Sequence, residues 1–102
     1  MLAGIPKYYS TAETRVPCPD QDKFRVVQDL VEQFKRRYEV IDVDGLRVLF
    51  GDGWGLIRAS NTQPVLVARC EARTPAGLER ICDIMMGALE QYPEVGKFNW
   101  EY

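Results

Sequence analysis

Gly53-Trp54-Gly55-Leu56-Ile57-Arg58-Ala59 runs into Ser60-Asn61-Thr62-Gln63-Pro64, and Val65-Leu66-Val67-Ala68-Arg69-Cys70-Glu71-Ala72 follows. Two apolar-rich runs flank a short polar loop, which reads as strand, turn, strand. Successive strand residues point to opposite faces. Trp54, Leu56 and Arg58 therefore share one face, with Ile57 on the other. In the second strand Leu66, Ala68, Cys70 and Ala72 form an unbroken apolar face, assigned to the core. Val67, Arg69 and Glu71 face the other way, onto a side that an antiparallel sheet can leave partly wet.

The loop between them gathers one guanidinium, two hydroxyls and one amide within Arg58 to Thr62. Arg58 offers a permanently charged, planar fork of donors that matches two phosphate oxygens. Ser60 and Thr62 carry donor hydroxyls, and the Asn61 amide nitrogen adds two more protons. Backbone N–H groups of a tight loop can add an anion-binding nest. Pro64 lacks an N–H, has a fixed φ, and restarts the chain as strand. A plainer reading stands beside this one. Ser-Asn-Thr-Gln-Pro is ordinary turn chemistry, in which Ser and Asn bond their own backbone, and an Arg at a strand end is commonly solvated.

Working outward, Asp44-Gly45 and Gly51-Asp52-Gly53 are turn signals on either side of a strand at Leu46 to Phe50. Glu39 to Asp44 reads as the strand before it, with Ile41 and Val43 on one face. Thr74-Pro75 is an N-cap followed by proline at the first helical position. Leu78, Ile81, Cys82, Met85 and Leu89 then repeat at helical spacing, until Pro93 stops the pattern. Upstream, Thr14-Arg15-Val16 is a short extended run ended by Pro17 and Pro19, which suits an edge. Asp20 is expected to cap a helix whose stripe is Phe24, Val27, Leu30, Val31 and Phe34. Asp22 near its start and Lys35, Arg36 and Arg37 near its end suit the helix dipole. Phe98, Trp100 and Tyr102 suggest a short docked strand or a contact with a neighbour. The order is strand, helix, four strands, helix: an α+β fold with two helices on one face of an antiparallel sheet.

Whole-chain quantities narrow the function. At 102 residues the chain is one domain, read as a lead-in over 1–10 and a folded unit over 11–102. Thirteen basic against fifteen acidic residues give a net charge of −2, which argues against a nucleic-acid partner. No apolar run reaches a membrane-span length, and Met1-Leu2-Ala3-Gly4 does not read as a signal peptide. With no histidine, Ser-His-Asp and Cys-His catalysis and His-ligated zinc are excluded. Cys18, Cys70 and Cys82 are widely spaced and read as small buried side chains suited to a reducing cytoplasm.

Arg58 to Pro64, with Asp52-Gly53-Trp54-Gly55 before it and Val65-Leu66-Val67 after it, closely resembles the C-terminal phosphate-binding loop of the α-D-phosphohexomutases. This family includes the phosphomannomutase/phosphoglucomutases. The likeness extends to Lys7-Tyr8-Tyr9-Ser10-Thr11, Ile41-Asp42-Val43-Asp44-Gly45-Leu46-Arg47 and Arg69-Cys70-Glu71-Ala72, and so covers nearly the whole chain. It implies a TATA-box-binding-protein-like topology, with no DNA-binding meaning. It also implies a larger cytoplasmic enzyme that interconverts hexose 1-phosphate and hexose 6-phosphate. A phosphoserine and a Mg2+-binding aspartate loop would lie in the other three domains. Residue by residue, Arg58, Ser60, Asn61 and Thr62 match the family's phosphate contacts. Gln63 stands where many relatives have Thr or another residue, and it receives no role beyond a possible backbone donor. No catalytic or metal-binding residue is assigned here, and this domain alone is expected to be inactive. The chain is expected to be a segment of a longer protein. A stand-alone module binding a phosphorylated or anionic metabolite is the alternative, and a pure interaction domain with an ordinary turn is a third.

Overall fold

The structure, a computed structural model, describes residues 9–43, 45–98 and 100. Its elements are β1 (Tyr9–Ser10), β2 (Thr14–Pro17), α1 (Asp20–Lys35), β3 (Glu39–Ile41), β4 (Leu46–Phe50), β5 (Gly53–Ala59), β6 (Val65–Ala72) and α2 (Pro75–Glu90). The expected order is present, with the two-residue β1 added ahead of it. All strand pairs are antiparallel, and the sheet runs β1-β6-β5-β4-β3. β2 pairs with the same edge of β6 as β1 does.

The registers show why β1 and β2 are separate. Ser10 opposes Glu71 and Thr14 opposes Ala68. Residues 11–13 thus span 69–70 of β6, one residue too many for a regular ladder, which is a bulge. Buried Thr11 repairs the ladder there. Its N–H donates to the Cys70 carbonyl at 2.9 Å, and its Oγ1 accepts the Cys70 N–H at 3.0 Å.

One face of the sheet carries the core. Leu46, Val48, Ile57, Leu66, Ala68, Cys70 and Ala72 are buried there, and both helices pack onto it in one cluster. α2 follows its expected pattern: Leu78, Ile81, Cys82, Met85 and Leu89 are all buried. The Thr74 hydroxyl accepts the Gly77 N–H at 2.9 Å as N-cap. Met85 lies so close over Gly55 that an added Cβ would stand 2.8 Å from its side chain, so a larger residue here would have to displace the flexible end of Met85.

α1 corrects two expectations. Its N-cap is Pro19, with no side-chain cap bond; the Asp20 carboxylate instead accepts from Lys23 Nζ at 2.8 Å. Phe24 is 57% exposed, while Lys23 is buried with Val26, Val27, Leu30, Val31 and Phe34. The geometry is simple. At about 100° per residue, Lys23 sits about 20° from Leu30 around the helix and Phe24 about 120° away. An apolar residue lies outside the arc, and a long amphipathic one lies inside it.

β3 is shorter than expected. Ile41 and Val43 are exposed, Val40 turns inward opposite Val48, and Asp44 lies outside the described residues. In the tail, Phe98 and Trp100 meet edge to face at 5.5 Å and pack on the core. No strand forms there among the described residues, and Tyr102 lies outside them. Tyr92 ties the helices together, accepting from Gln33 at 2.8 Å and donating to Asp29 at 2.9 Å. Burial and the Asp29 bond push its phenol up to about 12.

All three cysteine side chains are buried. A hydrogen bond with Cys82, then burial, pushes Cys70 far above the usual thiol range. Burial raises Cys18. No helix among the described residues is long and apolar enough to cross a membrane.

Candidate functional site

β5 delivers Arg58 one residue before its end, on the face opposite the core. The alternation that buries Ile57 makes Arg58 exposed. Gly45 fixes this stretch from the side. Its φ is +138°, and an added Cβ would stand 2.8 Å from both Arg58 Cβ and the Ile57 carbonyl oxygen. The glycine expected only as a turn residue is therefore also the surface against which the Arg58 backbone rests.

The loop is closed by backbone bonds. Ser60 N–H donates to the Val65 carbonyl at 3.1 Å, and Val65 N–H donates to that of Gln63 at 2.8 Å. Ser60 Oγ accepts the N–H groups of Thr62 and Gln63 at 3.3 and 3.2 Å. Both sequence readings thus meet in one residue. Ser60 caps its own turn with its lone pairs, and its O–H proton is still free to donate outward. Those two backbone N–H groups are consequently engaged, so the expected nest is reduced. The side chains of Asn61 and Thr62 make no hydrogen bond among the described residues.

The structure brings the four expected residues together. Arg58, Ser60, Asn61 and Thr62 line one hollow of about 370 Å³. Glu13 and Arg15 line it too, and neither was singled out from the sequence. The Glu13 carboxylate stands 3.9 Å from Arg58 Nη2, with both side chains about half exposed. An exposed pair at that separation is weak, so Arg58 is oriented without being saturated.

A third residue was missed. Lys23 sends its Nζ from the first turn of α1 to the Gln63 carbonyl at 3.0 Å. A buried ammonium thus pins the far arm of the loop to the helix, and Cys18 N–H pins the Pro64 carbonyl at 3.0 Å. The one clue in the sequence was a cation at the centre of the α1 apolar arc. The arrangement can hold a small oxyanion by charge and neutral donors. It contains no nucleophile–base pair. Among the described residues no group of three or more His, Cys, Asp or Glu side chains could hold a metal ion. Asp52, the one carboxylate of Gly51-Asp52-Gly53, is engaged by Arg80 of α2, which holds its carboxyl below the usual range.

Comparison with known proteins gives a consistent result. Residues 13–88 match the family model described as phosphoglucomutase/phosphomannomutase, C-terminal domain. The chain is 40% identical over 98 residues to a phosphoglucomutase of Neisseria gonorrhoeae, covering 93% of this chain and 21% of that protein. It is 40% identical over 85 residues to a phosphomannomutase/phosphoglucomutase of Pseudomonas putida, covering 82% and 18% respectively. A crystal structure of a phosphoglucomutase/phosphomannomutase family protein from Burkholderia thailandensis superposes with a TM-score of 0.66 at 34% identity. That match covers 97% of this chain and 20% of the other. The chain thus spans about a fifth of the length of the curated relatives it matches.

Proposed function

The chain belongs to the phosphoglucomutase/phosphomannomutase family, and we propose that within a longer enzyme its β5–β6 loop grips the phosphate of a hexose phosphate that is not reacting. The supporting observation is the single hollow onto which Arg58, Ser60, Asn61 and Thr62 all open, with Arg58 only loosely paired.

In this reading the bond exchange, from hexose 1-phosphate to hexose 6-phosphate, belongs to three further domains, as does the Mg2+ such enzymes use. The residues here supply binding. A phosphomonoester carries about −1.5 to −2 charge at neutral pH. Arg58 meets two of its oxygens with charge-assisted bonds. The hydroxyls of Ser60 and Thr62 and the Asn61 amide donate to what remains. Every contact is to phosphoryl oxygens, so the same loop accepts either phosphate when the sugar turns round. Binding energy gathered far from the reacting bond is then available to orient it. Closure of this domain over the cleft would order the substrate and exclude water. The isolated domain would bind weakly and not turn over. The cytoplasm is the expected compartment. A stand-alone anion sensor would use the same loop, but the match to only a fifth of each relative favours the multidomain enzyme.

The test is Arg58→Ala in the phosphohexomutase that carries this domain. Loss of a bidentate charged contact costs on the order of 2–4 kcal/mol in transition-state binding, read as kcat/KM. The melting temperature should hold, since Arg58 is exposed. Unchanged catalytic efficiency would refute the assignment.

A further inference from the structure

Arg15 is a charged residue at the loop end to which the phosphate reading gives no role. It opposes Val67 across β2 and β6, and Arg58 opposes the same Val67 across β5 and β6. Directly opposed residues of antiparallel neighbours project from one face. The two arginines therefore flank one valine, their backbones two strand spacings, roughly 10 Å, apart. Val67 is only 7% exposed although it stands outside the core cluster. Both arginines line the same hollow as the loop. Arg15 forms no ion pair among the described residues. Glu13, the last residue of the bulge, lines the same hollow and stands 3.9 Å from the Arg58 guanidinium.

We propose that Arg15 is the second cation of this anion site, and that Glu13 is a stand-in anion which holds Arg58 in place until a phosphomonoester displaces it. This inference rests on the reading of the loop as a phosphate grip. A doubly charged phosphomonoester exceeds what one guanidinium neutralises. A second guanidinium across Val67 completes the compensation. A carboxylate that holds Arg58 at 3.9 Å in water is weak enough to yield to a dianion that takes both arms of the fork. The site so built favours a dianionic monoester over a monoanionic diester.

The test is a 31P NMR titration of α-glucose 1-phosphate with the 102-residue chain at low ionic strength, where exposed charges are least screened. The variants are Arg15→Gln, Arg15→Lys, Glu13→Gln and Arg58→Gln, all at exposed positions. A unit charge acting on a dianion about 10 Å away through water changes affinity about fourfold. R15Q should weaken binding by about that factor, R15K should stay near wild type, E13Q should tighten binding, and R58Q should weaken it most. If R58Q weakens binding while R15Q leaves it unchanged, the role of Arg15 is overturned and the loop reading stands. Weaker binding by E13Q overturns the role of Glu13. No binding by the wild type, or R58Q equal to wild type, overturns both the inference and the loop reading.

Discussion

β5 and β6 lie side by side, and their two ends use similar residues to opposite effect. Hollows lie at both ends, about 310 Å³ beside Asp52 and about 370 and 550 Å³ beside Arg58, so the presence of a hollow does not tell them apart. Chemistry does. At the Asp52 end the Asp52 and Thr74 side chains are spent internally, while the Arg73 guanidinium has no hydrogen bond or ion pair among the described residues. Asp52 pairs with Arg80, Arg73 N–H donates to the Asp52 carbonyl at 3.0 Å, and the Thr74 hydroxyl caps α2. At the Arg58 end the guanidinium has one partner at 3.9 Å, and the Asn61 and Thr62 side chains have none among the described residues. Donors left to water cost little while exposed, and they are the ones a ligand can recruit. One end of the hairpin is a structural joint, and the other keeps donors within reach of a ligand.

The comparison can be broken by substitutions at each end. The largest effect on stability is expected from Gly45→Ala. A side chain at φ +138° and 2.8 Å from Arg58 Cβ costs about 1–3 kcal/mol in strain, measured by urea unfolding. It also displaces Arg58, so phosphate affinity should fall with stability. A stable G45A with unaltered affinity would detach the turn from the site. Next comes Thr74→Ala at the joint. Loss of the cap costs about 1 kcal/mol and should leave phosphate affinity unchanged; a matching loss of affinity would mean the two ends are coupled. The smallest effect is that of Asp52→Asn. Arg80 depresses the Asp52 carboxyl, so the contribution of the pair is complete above the ordinary carboxylate range. It is lost as pH falls through the depressed value. Acid-limb melting curves should show D52N losing the wild type's extra acid sensitivity there, with neutral-pH binding untouched.

Much of the fold could be read from residue patterns because it is local. β6 carries an unbroken apolar face, and its expected span, Val65 to Ala72, is the span observed. Thr74-Pro75 announces α2 through a cap that depends on four consecutive residues. What escaped depends on partners distant in sequence. Phe24 looked like core because it is apolar, yet it sits just outside the arc of α1 that packs on the sheet. Lys23, charged and outside the apolar pattern, drew no reading, yet it reaches Gln63, forty residues on. The bulge at 11–13 is a mismatch between two strands, visible only when both are aligned. For the site, Arg58 and its loop were legible as a contiguous motif. Glu13 and Arg15 join it only through the pairing of β2 with β6, which no local pattern states. Ser60 caps its turn as the plainer reading expects, and its hydroxyl keeps a proton that can still donate.

The most direct measurement is an amide chemical-shift map of the 102-residue chain titrated with α-glucose 1-phosphate, with glucose as the uncharged control. The loop account predicts saturable shifts concentrated at Arg58 to Gln63, while Asp52, Arg73 and Thr74 stay still and glucose moves neither end. A loop that does not move at millimolar sugar phosphate, or equal movement at both ends, would contradict it.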